Sequence, residues 1–150
     1  MALLAAGAAI TCAERARAED PRVMAFLDRL VGPWTGRAET TPAGPRPYDM
    51  TFVRAADGHI TATAEPGNST HHWTFLAADG GLQLVFLTTF AGNRDPQRFL
   101  PAMFAGEEAR FATTRADGLE VRVRPISERL QIDVLRRGRL HVAIQLVKGK

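Results

Sequence analysis

The chain has 150 residues and is short of the groups that most catalytic and metal sites are built from. Its one cysteine, Cys12, excludes an intrachain disulfide and a cluster of thiolate ligands. Its serines are Ser69 and Ser127, and neither sits in a Gly-x-Ser-x-Gly turn. No glycine-rich phosphate loop follows an apolar strand pattern. The histidines, His59, His71, His72 and His141, form no H-x-H or HExxH spacing and have no carboxylate pair beside them, so no metal site is expected. Aromatic residues make up 7% of the chain. None falls in the basic stretches Leu119–Pro125 and Ser127–Arg139, which lack the stacking surfaces that nucleic-acid binding needs. The one continuous apolar run, Ala2–Ile10, is far below the roughly 20 residues of a membrane-spanning helix.

That run has another meaning. Ala16-Arg17-Ala18 follows it at the distance of an A-x-A processing site, so residues 1–18 read as an export signal cleaved before Glu19. No basic residue precedes the run, which makes the signal atypical or its start truncated. Thr11 before Cys12 is a poor match to a lipidation site. The expectation is a periplasmic or secreted protein whose residues 19–150 form a single domain, with no cysteine left after processing.

Charge is uneven along that domain. Residues 19–109 carry 7 basic and 11 acidic side chains; residues 110–150 carry 10 and 4. A basic C-terminal third suits an anionic partner, but arginines alternating with apolar residues also simply solvate the outside of a sheet.

Asp20-Pro21 is a helix start, with the aspartate as N-cap and proline in the first turn. Val23, Phe26, Leu27 and Leu30 then share one helical face, and Gly32-Pro33 ends the helix. From Trp34 the apolar period becomes two. Tyr48, Met50 and Phe52 alternate with polar residues; Ile60, Ala62 and Ala64 follow. Next come His71, Trp73 and Phe75, then Leu82, Leu84, Phe86 and Thr88. Ala109-Phe111-Thr113, Leu119-Val121-Val123, Leu130-Ile132-Val134 and Leu140-Val142-Ile144-Leu146 complete the series. Asp57-Gly58, Asp79-Gly80, Asp117-Gly118 and Arg137-Gly138 are hairpin turns, and Ala91–Pro96 is the longest break. Nine to ten antiparallel strands with one apolar face and no crossover helix predict an all-β, up-and-down barrel with a short N-terminal helix.

The order of helix, Gly32-Pro33-Trp34-Thr35-Gly36 and meander resembles the calycin group: lipocalins, fatty-acid-binding proteins and nitrobindin-like barrels. The resemblance implies that Trp34 plugs one barrel end beneath an arginine of the last hairpin, with Arg136, Arg137 and Arg139 as candidates. It also implies an interior ligand. In nitrobindin-like barrels that ligand is haem, held by a late histidine. His141 is the late candidate here, yet strict alternation turns it away from the Leu140-Val142-Ile144 face.

The cavity-lining candidates are Met50, Phe52, His71, Trp73, Phe75, Leu84, Phe86 and Arg136. His71 shares the face of Trp73 and Phe75, where it is either a titratable cavity group or a core residue with a satisfied hydrogen bond; His72 points the other way. Counting by twos from Leu130 brings Arg136 inward, to stack on Trp34, hold a ligand carboxylate or extend to solvent. Small residues on the same faces (Ala62, Ala64, Thr88, Ala109, Thr113) leave open whether the barrel is hollow or filled. The expected function is binding of a small hydrophobic or amphipathic molecule, without catalysis, cofactor or nucleic acid. The alternatives are a haem- or His-dependent enzyme on the same barrel and a filled barrel acting as an interaction module.

Overall fold

Asp20 caps helix α1 (Pro21–Leu30) by accepting a 2.9 Å hydrogen bond from the Arg22 amide, and Pro21 stands in the first turn, where its missing N–H leaves no bond unmade. Val23, Phe26, Leu27 and Leu30 are buried along one face, as their spacing requires. The helix stops at Val31. Gly32 takes a φ of +117°, a conformation that side-chain-bearing residues rarely adopt, and turns the chain into the sheet.

The computed structural model describes residues 14–15, 20–78, 81–90, 93–94, 98–113 and 118–149. Among these, ten strands make the barrel: β1 (Gly32–Thr40), β2 (Arg46–Arg54), β3 (Ile60–Ala64), β4 (Ser69–Ala78), β5 (Gly81–Phe90), β6 (Arg98–Ala105), β7 (Glu108–Ala112), β8 (Leu119–Ile126), β9 (Arg129–Arg136) and β10 (Arg139–Lys148). Every strand pairs antiparallel with the next. β10 then pairs with β1, from Ala143↔Thr40 to Lys148↔Trp34, so the sheet closes and exposes no long edge. Two-residue strands at Glu14–Arg15 and Asn93–Arg94 add to β6 and β5. The rest of the expected export signal, the Asp79-Gly80 turn, Asp117 and the remainder of the Ala91–Pro96 loop lie outside the described residues.

Alternation places the expected residues inside. Met50, Phe52, Ile60, Ala62, Ala64, Trp73, Phe75, Leu84, Phe111, Val121, Val123, Ile132, Ile144 and Leu146 are all buried. β6 was not legible as a strand beforehand: Leu100, Ala102 and Phe104 alternate inward there, but Pro101 interrupts the pattern with a residue that cannot donate to a ladder. The turn at Arg137-Gly138 has positive φ at both residues, 51° and 73°, matching the twist of a two-residue hairpin.

Two irregularities alter the register of the last strands. Between β9 and β10, Leu135 pairs with Leu140 and Val134 with Val142, so His141 is an extra residue in a bulge. Between β10 and β1 a second bulge leaves Glu39 extra. The expected apolar face therefore loses Leu140, which is 50% exposed.

Candidate functional site

The Gly32-Pro33-Trp34-Thr35-Gly36 stretch has three separate structural tasks. Gly32 supplies the positive φ described above. Trp34 is buried and donates its Nε1–H to the Leu30 carbonyl at 2.8 Å, satisfying a carbonyl at the helix end that no intrahelical amide reaches. Gly36 lies so close to Gln145 and Leu146 that a Cβ there would collide with their backbone. The cation over Trp34 is neither Arg136, Arg137 nor Arg139. Lys148 lies over the indole, with Nζ 5.2 Å from the ring centroid, because β10 runs antiparallel to β1 and its C-terminal end reaches Trp34.

Beneath α1 the barrel is filled by aromatic rings. Phe26 of the helix meets Phe75, Phe104 and Phe111 at 5.8–6.2 Å between centroids. Phe75 meets Phe52 at 5.7 Å and Phe111 at 5.4 Å. Phe52, Phe75 and Leu84, expected as cavity lining, are thus packing residues of this half, with Met50 buried on the same face of β2 as Phe52.

The opposite end differs in chemistry. β2 and β3 pair only at Val53↔Thr61 and Arg54↔Ile60 and then part. Tyr48 on β2 spans the gap and reaches β4 directly, past the small side chains Ala62 and Ala64. The Trp73 Nε1–H donates to Tyr48 Oη at 2.9 Å, and Tyr48 Oη lies 2.9 Å from His71 Nδ1. Phe86 closes the other side, with its ring 4.4 Å from Trp73 and edge-on to His71 at 5.7 Å. The small alanines that suggested an unfilled interior make room for this tyrosine–tryptophan–histidine chain.

Above the chain is a cleft of about 560 Å³ lined by Tyr48, His71, Arg46 and residues of the loops after β1 and β3. His141 and Val142 of β10 line it too. Sequence alternation had turned His141 outward; the bulge re-aims it. The same disturbance corrects Arg136. Val134 and Leu135 are both buried, the alternation slips by one, and Arg136 is exposed rather than inward.

Hydrogen bonding fixes how His71 presents itself. Tyr48 is 1% exposed, and among the described residues its hydroxyl has two partners, Trp73 and His71. An indole N–H can only donate, so Tyr48 accepts from Trp73 and its own proton has one acceptor, His71 Nδ1. The reverse assignment would bury a phenolic proton with nothing to receive it. His71 is therefore neutral with its proton on Nε2. Its pKa is lowered to about 4, chiefly by burial and secondarily by neighbouring His72, and burial pushes the Tyr48 pKa well above the usual phenol value. Among the described residues His71 Nε2 and the Arg46 guanidinium have no hydrogen-bond partner, and none of the cleft's lining residues is acidic.

Ser69 lines the cleft, but its hydroxyl makes no hydrogen bond to either histidine. Among the described residues no three His, Cys, Asp or Glu side chains converge on a metal position, and no helix is long and apolar enough to cross a membrane. His72 pairs on the outer face with Thr63 at 3.4 Å, and His59 lies beside Asp57 at 3.1 Å. Comparison of the chain with protein-family models, curated proteins and solved structures returns no match.

Proposed function

We propose that this is an exported, calycin-like barrel that binds a small amphipathic molecule at the end opposite its helix, without catalysing a reaction on it. One observation carries the reading: a cleft of about 560 Å³, within the usual size of small-ligand sites, has a floor of oriented polar groups set among aromatic rings. Ala38, Pro42, Pro66 and Val142 supply apolar surface, and Tyr48 and His71 supply fixed hydrogen bonding. The export signal read in residues 1–18 supports the location. The test is uptake of an environment-sensitive naphthalene sulfonate dye, followed by its emission and by energy transfer from tryptophan. Expected is saturable uptake that a bulky residue in the cleft, Val142→Trp, abolishes in a folded protein. Uptake unchanged by Val142→Trp would count against the cleft. The mass of the exported chain checks processing before Glu19.

A second reading is favoured by the bulged His141. His141 lines the cleft with apolar Ala38 and Val142 and has no hydrogen-bond partner among the described residues, so it is the residue that would hold the iron of a haem. Bound there, haem would supply redox or gas-binding chemistry. Haemin titration decides: a Soret band lost in His141→Ala supports this reading, and no band retires it.

A further inference from the structure

We infer that the outer face of β8, β9, β10 and β1 carries a groove that docks an acidic, extended segment of a partner protein. The groove lies outside the barrel and does not depend on what the cleft binds.

Strand register builds it. Arg124 of β8 lies opposite Gln131 of β9, Gln131 opposite Gln145 of β10, and Gln145 opposite Arg37 of β1. The four form one row across the strands, and its end arginines stand three strand spacings apart, about 14 Å. One pleat along, the same pairings set Ile126, Arg129 and Val147 in a second row. Both rows line a groove of about 600 Å³.

Local charge sets this groove apart from the rest of the sheet. Its lining holds Arg37, Arg124 and Arg129 against one acid, Glu39. One pleat away the balance reverses: Arg122 pairs with Glu120 at 3.0 Å, and Glu108 and Asp133 add to the negative charge around it. Within the groove Arg124 is held across β9, donating to Gln131 Oε1 at 2.8 Å, while the Gln131 amide donates to Asp133 at 3.1 Å. Beside these cations Ile126 is 44% and Val147 53% exposed, one on each side of Arg129. Carboxylates of a partner would meet the guanidinium forks, and its apolar side chains would cover Ile126 and Val147.

The exposed apolar side chains of the groove are short and none is aromatic, which suits a polypeptide better than a lipid interface or stacked bases. Spacing narrows the partner further. In an extended chain, side chains four positions apart share a face and stand about 13 Å apart, close to the span of the arginine row. The segment therefore carries acids at the first and fifth of five positions, with the middle side chain over Gln131 and Gln145.

The test is fluorescence anisotropy of the full chain with rhodamine-labelled threonine–valine peptides of nine residues. One carries glutamates at its third and seventh positions, one at its fourth and fifth, and one carries glutamines at the third and seventh. The first is expected to bind tightest and the glutamine peptide about tenfold more weakly, the effect of two exposed ion pairs. Adjacent glutamates point to opposite faces, so that peptide should bind no better than the glutamine one. Arg37→Glu should bring the first peptide to the same level and leave the glutamine peptide unchanged. Arg37 is exposed, and an unchanged unfolding midpoint would show that the variant folds.

Equal binding of the glutamate and glutamine peptides would overturn the proposal, as would a preference that survives Arg37→Glu in a folded protein. Failure of every peptide to bind would overturn it too. In that case capture by phosphatidylglycerol vesicles, or self-association lost in Arg37→Glu, would assign the face to a lipid surface or to a second copy of the chain.

Discussion

Along β2 and β4 the inward side chains change character within two pleats: Phe52 and Phe75 under the helix give way to Tyr48 and His71 at the far end. The first pair belongs to a continuous set of ring contacts that includes Phe26, Phe104 and Phe111. The second belongs to a hydrogen-bonded chain beneath an open cleft. The strands are the same, so the difference comes from what covers each end. The helix supplies apolar side chains that complete the packing. Among the described residues the other end has only loops, and its strands are separated where β2 leaves β3. Packing holds this fold together at one end and leaves room for a ligand at the other.

The comparison can be broken at either end. Phe75→Ala removes the ring at the centre of the filled half and should destabilise the fold by about 3–5 kcal/mol, measured by denaturant unfolding. A loss under about 1 kcal/mol would mean that the half is not close-packed.

At the cleft end the largest effect is of pH. His71 takes up a proton near pH 4 when folded and near 6.5 when unfolded. Its contribution is full above pH 6.5. As pH falls, the unfolded chain binds the proton first, so stability declines from pH 6.5 and the loss levels off below about 4. At 1.36 kcal/mol per pKa unit the total is about 3 kcal/mol. Unfolding of the wild type and of His71→Phe across this window should diverge by that amount, and parallel curves would contradict the burial of His71.

Tyr48→Phe leaves the Trp73 N–H without its acceptor at a residue 1% exposed, and should cost about 1–3 kcal/mol in the same unfolding measurement. The smallest effect belongs to the plug. Lys148→Ala removes the cation from the Trp34 face and should cost about 0.5–1 kcal/mol, with the tryptophan emission shifted.

Much of this architecture could be read from spacing. Asp20-Pro21 and the four inward residues of α1 are local signals, and local signals survive folding. So do the alternating runs Tyr48-Met50-Phe52 and Leu130-Ile132-Val134. What escaped the sequence depends on neighbours far away in the chain. The bulge at His141 is a property of two strand pairings, so counting by twos turned His141 outward and Arg136 inward. Lys148 meets Trp34 only because β10 closes on β1. Pro101 hid β6, whose flanking residues pack normally. The Tyr48–His71–Trp73 chain joins residues 25 or fewer positions apart, yet no spacing rule signals it. It becomes legible only once β2 and β4 face each other across two alanines.

The most direct test is a long-range ¹H–¹⁵N spectrum of the histidine rings with an aromatic ¹H–¹³C spectrum, both recorded at neutral pH before and after the naphthalene sulfonate dye is added. The account predicts that His71 carries its proton on Nε2 and none on Nδ1, which accepts from Tyr48, and that the dye shifts the His71 ring signals while the ring ¹H–¹³C signals of Phe75 and Phe111 stay in place. A proton on Nδ1, or a ligand response confined to the rings beneath the helix, would contradict it.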